Sequence, residues 1–93
     1  MLADLPRKLE KVEKSELDKE ILRMGIIAEL DAINLYEQMA AMTDDNNLKK
    51  ILLDIAKEEK THVGEFQALL LAKDGQQATE LEEGKKEVEE LTK

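Results

Sequence analysis

Thr43-Asp44-Asp45-Asn46-Asn47 decides how this 93-residue chain folds, because these five turn-forming and helix-capping residues separate two long stretches of helical periodicity. Upstream, Leu22, Ile26, Glu29, Ile33, Tyr36 and Ala40 step by 4, 3, 4, 3 and 4 residues, as one face of an α-helix requires. The pattern predicts a helix over about 16–41, opened by a weak capping box of Ser15 and Asp18. Downstream, Leu48, Leu52, Ile55, Glu59, His62, Phe66 and Leu70 repeat the spacing, so a second helix runs from the polar cluster to about Ala72 and stops at Lys73-Asp74-Gly75. Two helices joined by so short a turn form an antiparallel αα-hairpin.

Each predicted stripe is interrupted at its centre by metal-binding side chains, and no Lys or Arg shares the stripe with them. Glu29 precedes Asp44 by 15 residues and Glu59 follows it by 15. At the helical rise both lie about 22 Å from the turn, so Glu29 should face Glu59 and His62 across the hairpin. An unpaired carboxylate in a core costs several kcal/mol, so such groups are normally ion-paired or bound to a metal. Two carboxylates and one imidazole facing inward without a cation point to metal. Glu-x-x-His alone is a common pattern on exposed helix surfaces; the inward stripe and the level match with Glu29 are what favour a site.

Composition narrows the metal and the partners. The chain has no Cys, which excludes disulfides, thiolate zinc and iron–sulfur clusters. A net charge of -8, no basic patch, and a single Tyr and a single Phe argue against nucleic acid. Residues 1–14 are charged throughout and contain no long apolar run, so they read as neither a signal peptide nor a membrane span. A reducing cytoplasm is the expected location.

The expected organisation is a charged N-terminal extension over residues 1–15, a helical hairpin over 16–72, and a short C-terminal helix and tail over 73–93. In the last segment Leu81, Val88 and Leu91 are the sizeable apolar groups among many Glu and Lys, and Gly84 interrupts it at a cost of about 1 kcal/mol relative to Ala. Its order is expected to depend on another subunit. Gly25 and Gly64 sit mid-helix and nearly level, which suggests close approach of the two helices.

Di-iron carboxylate proteins build their sites inside four-helix bundles, with one Glu from each of two helices and a Glu-x-x-His pair from each of the other two. This chain supplies half of that set: Glu29, and the pair within Glu59-Lys60-Thr61-His62. A symmetric homodimer would double it to four Glu and two His and complete the bundle. Met24, Ile27 and Leu35 lie away from the stripe of the first helix and need further subunits to cover them.

The residues Ile27-Ala28-Glu29-Leu30-Asp31-Ala32-Ile33-Asn34-Leu35-Tyr36-Glu37 and Glu58-Glu59-Lys60-Thr61-His62 closely resemble the encapsulated ferritin family, over roughly residues 16–91. The resemblance implies an all-α fold in which two-helix protomers dimerise into a ferritin-like four-helix bundle. It implies that Glu29, Glu59 and His62 are iron ligands of a ferroxidase centre and that Tyr36 is a hydrogen-bonding residue of that centre. It also implies a ring, usually a decamer, with the third helix touching neighbouring dimers, housed inside an encapsulin shell. Two features depart from the family. Ala28, Asp31 and Leu35 stand where members often carry further acidic residues and an aromatic, leaving Asp31 as the candidate ligand of an outer metal site. The chain also ends in Val88-Glu89-Glu90-Leu91-Thr92-Lys93 in place of an apolar targeting tail, as expected of a truncated piece or of a chain fused to its shell.

Carboxylate and imidazole ligands suit iron in both oxidation states. The expected chemistry is oxidation of two Fe(II) ions by dioxygen at the dimer axis, with mineral forming in the enclosing shell. A metal-free dimeric adapter would explain the apolar surface but not three ligand-type residues at one level. A rubrerythrin-like peroxide reductase or a dimanganese redox enzyme would use the same ligands.

Overall fold

The computed structural model describes residues 13–93, which form three helices: α1 (Lys14–Met42), α2 (Asn46–Lys73) and α3 (Gly75–Leu91), with no strand among the described residues. The expected N-terminal extension lies almost entirely outside them. The polar run acts through two hydrogen bonds. Asp45 accepts from the Leu48 N–H at 2.9 Å and so caps α2, while its own N–H donates to Thr43 Oγ1 at 3.1 Å. With Thr43 extended at the end of α1, the chain reverses within three residues.

The helix start differs from expectation. α1 begins at Lys14, and the capping position is Glu13, which makes no side-chain capping bond. Ser15 therefore lies inside the helix and not at its capping position. The Glu16–Lys19 pair at 3.2 Å supports the first turns instead.

Both stripes pack as their spacing requires. Leu22, Ile33 and Ala40 of α1 are buried against Leu52, Ala56 and Leu70 of α2. Ala56 falls outside the predicted stripe; it lies one turn beyond Leu52 and its small side chain is fully covered. Leu48 belongs to the stripe but is exposed, because the first turn of α2 sits at the hairpin tip. Among the described residues, six are buried and make a thin core, while Ile21, Ile27, Leu30, Leu35, Ile51 and Leu69 stand exposed.

α3 runs through Gly84 without interruption, so the loss of helix propensity there is too small to break it. It packs mainly at its base, and the molecule consequently measures 47 × 44 × 20 Å. The base is organised by Asp74. Its N–H donates to the Leu70 carbonyl and closes α2, its carboxylate accepts from the Gln77 N–H at 3.1 Å and opens α3, and Arg23 of α1 binds the same carboxylate at 2.9 Å. Lys73 and Asp18 add a second α2–α1 pair at 3.7 Å. Beside this joint, Arg23, Ile27, Leu71, Gln77 and Leu81 line an apolar groove of about 350 Å³.

The Gln77 N–H, and after it the Arg23 guanidinium, hold the Asp74 carboxyl below the usual carboxylate range. Folding thus favours the ionised form, and the stability it contributes is complete above the ordinary carboxylate pKa and lost as pH falls through the lowered one. Asp74→Ala should lower the melting midpoint and reduce helicity by circular dichroism at neutral pH. Asp74→Asn, which keeps the cap but loses the ion pair, should fall between. Equal midpoints for all three proteins would contradict the role of this joint.

Candidate metal centre

The hairpin register brings Glu29 from the middle of α1 level with Glu59 and His62 on α2, which are one turn apart on the same face. One ligand atom from each of the three lies within 4.8 Å of the others. His62 Nδ1 sits 3.4 Å from Glu29 Oε2 and 3.4 Å from Glu59 Oε2, so one nitrogen faces both carboxylates. Its geometry permits a hydrogen bond only with Glu59. Glu29 Oε2 is buried and has no hydrogen-bond partner.

That orphaned oxygen tests whether the residues fit a metal ion. Neither Glu29 nor Glu59 pairs with Lys or Arg among the described residues, and a single imidazole proton cannot serve two carboxylates. Donor atoms bound about 2.1 Å from a common ion at tetrahedral angles lie roughly 3.4 Å apart. The two nitrogen–oxygen distances agree with that separation. Lys60, between the ligand-type residues in sequence, points to another side of α2 and pairs with Glu37 of α1 at 3.2 Å.

Burial is less complete than the stripe pattern implies. The Glu29 and Glu59 side chains are 18% and 19% exposed, but His62 is 43% exposed. The cluster thus sits at the edge of the hairpin interface and is open on one flank. On a wheel of 100° per residue, Ile51, His62 and Leu69 fall within about 20° of one another on α2. Ile51 and Leu69 are more than half exposed. The open side of the cluster therefore continues into an uncovered apolar flank.

Tyr36 is half-buried on the α1 stripe, two turns beyond Glu29, and its hydroxyl is not hydrogen-bonded to Glu29, Glu59 or His62. Asp31 is half-buried and does not belong to the cluster; two residues from Glu29, it lies about 200° away around the helix. Among the described residues no other group of three His or acidic side chains converges in this way, and sequence reasoning missed no member of the cluster.

An all-α hairpin with a carboxylate–imidazole cluster level across its two helices defines a narrow class. The chain belongs to the EncFtn-like family, whose model matches residues 4–87. It is 67% identical over 79 residues to a ferritin-like–encapsulin shell fusion protein of Pyrococcus furiosus, covering 85% of this chain and 23% of that protein. It is 39% identical over 79 residues to the encapsulin nanocompartment cargo protein EncC of Myxococcus xanthus, covering 85% of this chain and 58% of that one. The chain thus spans about a quarter of the first relative and under two thirds of the second. The crystal structure of the encapsulated ferritin domain from Pyrococcus furiosus superimposes with a TM-score of 0.79 at 58% identity, over 99% of this chain and 88% of that one.

If Glu29 carries an unsatisfied charge until a cation arrives, Glu29→Leu should stabilise the metal-free protein by about 1 kcal/mol in urea unfolding. The wild type should gain about 2.7 kcal/mol when Co(II) is added at 100 times its dissociation constant, and Glu29→Leu should gain almost none. A variant less stable than wild type without metal, or equally stabilised by Co(II), would contradict this assignment.

Proposed function

We propose that this chain is a ferroxidase, oxidising Fe(II) to Fe(III) with dioxygen at a di-iron site shared across a homodimer. The observation that carries the reading is the buried Glu29 oxygen without a hydrogen bond, set against Glu59 and His62 at one level of the hairpin. One chain supplies two carboxylates and one imidazole, half of a di-iron carboxylate set. A two-fold axis on the open His62 flank would bring the second half into range and cover Ile51 and Leu69 in the same step.

In this arrangement iron is the substrate. Glu29 and Glu59 neutralise and orient the incoming Fe(II), and as hard oxygen ligands they stabilise the Fe(III) product. His62, whose Nδ1 faces both carboxylates, would bind the ion through that nitrogen. Two Fe(II) ions give up one electron each, and dioxygen takes up both electrons together with two protons from water to leave as hydrogen peroxide. Tyr36, two turns along the stripe, would hydrogen-bond near the centre once the bundle is complete, and Asp31 would hold cations at an outer position.

The family relationship and the two relatives support a wider setting: dimers assembled into a ring, a decamer by family analogy, inside an encapsulin nanocompartment in the cytoplasm where oxidised iron mineralises. Residues 16–72 would form the metal-binding hairpin and 73–93 a contact arm. None of the described helices is long and apolar enough to cross a membrane. A metal-free adapter would also use the exposed apolar flank, but it leaves the Glu29 oxygen unexplained.

Stopped-flow oxidation of Fe(II) tests the reading. Changing groups that only orient metal ligands costs about 10–100-fold, so His62→Ala or Glu59→Ala should slow oxidation at least about 100-fold. A wild-type rate no faster than that of these variants would overturn the assignment. Turnover with peroxide but not dioxygen would favour a rubrerythrin-like enzyme.

A further inference from the structure

Gly25 and Gly64 occupy comparable mid-helix positions, yet only one of them is required by the packing within the chain. A Cβ added at Gly64 would meet nothing within 4 Å. A Cβ added at Gly25 would lie 3.1 Å from Phe66 Cδ2 and Cε2 and 3.2 Å from Cζ. Three ring atoms at that distance mean that the ring lies flat against the bare backbone of α1. An alanine there would force ring or helix to move by a few tenths of an ångström.

The contact lies one turn from the metal centre on both helices. Gly25 is four residues before Glu29, and Phe66 is four after His62, about 6 Å along each axis. The positions are level because the hairpin is antiparallel. Phe66 is the only Phe of the chain and is half-buried. Toward the turn the cluster is followed by Ile33 and Ala56, both buried, while toward the open end of the hairpin the Gly25–Phe66 pair stands next to it. Helix separation at that level thus transmits directly to the distances between Glu29 on α1 and Glu59 and His62 on α2.

We propose that Gly25 and Phe66 form a spacer that sets the helix separation at the metal centre, Gly25 serving as a positioning residue for Glu29. The pair touches no ligand atom and acts through the distance between helices. The inference rests on the metal-binding reading given above. It accounts for a glycine inside a 29-residue helix, where alanine would be the better helix former. The tight contact is what alanine cannot reproduce.

Co(II) absorption titrations of the full chain, without iron or oxygen, test it. Gly25→Ala is expected to keep or increase helicity and thermal midpoint while weakening Co(II) binding at least 10-fold and altering the visible Co(II) spectrum. The double variant Gly25→Ala/Phe66→Leu, which removes the crowded ring, is expected to recover affinity to within about 3-fold of wild type. Wild-type affinity in Gly25→Ala overturns the spacer and leaves the metal site intact. Weakened binding that the double variant fails to restore also overturns it, since the loss would then come from something other than crowding. If the wild type and His62→Ala bind Co(II) equally, the metal reading itself fails and the spacer with it.

Discussion

Two carboxylates brought level with each other, with one imidazole between them and no Lys or Arg among the described residues paired to them, set the terms for this molecule. At 3.4 Å from both oxygens, His62 Nδ1 can satisfy one of them by hydrogen bonding and leaves Glu29 Oε2 bare. In a protein interior an unmatched charge of this kind is normally removed by protonation, pairing or metal binding. Among the described residues, three basic side chains of the hairpin are paired elsewhere: Lys60 with Glu37, Arg23 with Asp74 and Lys73 with Asp18. The charge is placed where a cation from outside can reach it, on the flank where His62 is half exposed.

The hairpin can hold this arrangement because its other features fix register. Asp45 sets where α2 starts, and the buried residues from Leu22 to Ala40 and from Leu52 to Leu70 bracket the cluster on both sides. The same six buried residues are too few to cover two long helices. On the reading proposed here the incomplete core and the incomplete ligand set have one remedy, a second copy of the chain. α3 stands apart from this centre. It is joined to the hairpin by Asp74, whose one carboxylate caps a helix and binds Arg23.

The hairpin was legible because its signals are local and periodic: the 3-and-4 spacing of the stripes, the five polar residues between them, and the equal distances of Glu29 and Glu59 from Asp44. The cluster of Glu29, Glu59 and His62 follows from arithmetic on that register. Features that depend on three-dimensional detail were not legible. Ser15 has the residue type of a cap, yet one turn of propensity does not outweigh the start of a long helix at Lys14. Gly84 costs too little to break α3. The pattern marked His62 as inward, but a residue near the boundary of a stripe is half covered, and no periodicity reports that fraction. Gly25 and Gly64 look alike in sequence; only the Phe66 ring distinguishes them. The three roles of Asp74 likewise required the contact with Arg23, 51 residues away.

On the reading proposed above, a single chain carries half of a metal site and a second copy supplies the rest. Anomalous X-ray scattering at the iron edge, from crystals loaded anaerobically with Fe(II), tests it most directly. A shared site gives a pair of peaks about a two-fold axis, each within coordination distance of Glu29, Glu59 and His62 atoms drawn from both copies. Peaks lying wholly within one chain, or none at these residues under saturating iron, would contradict it.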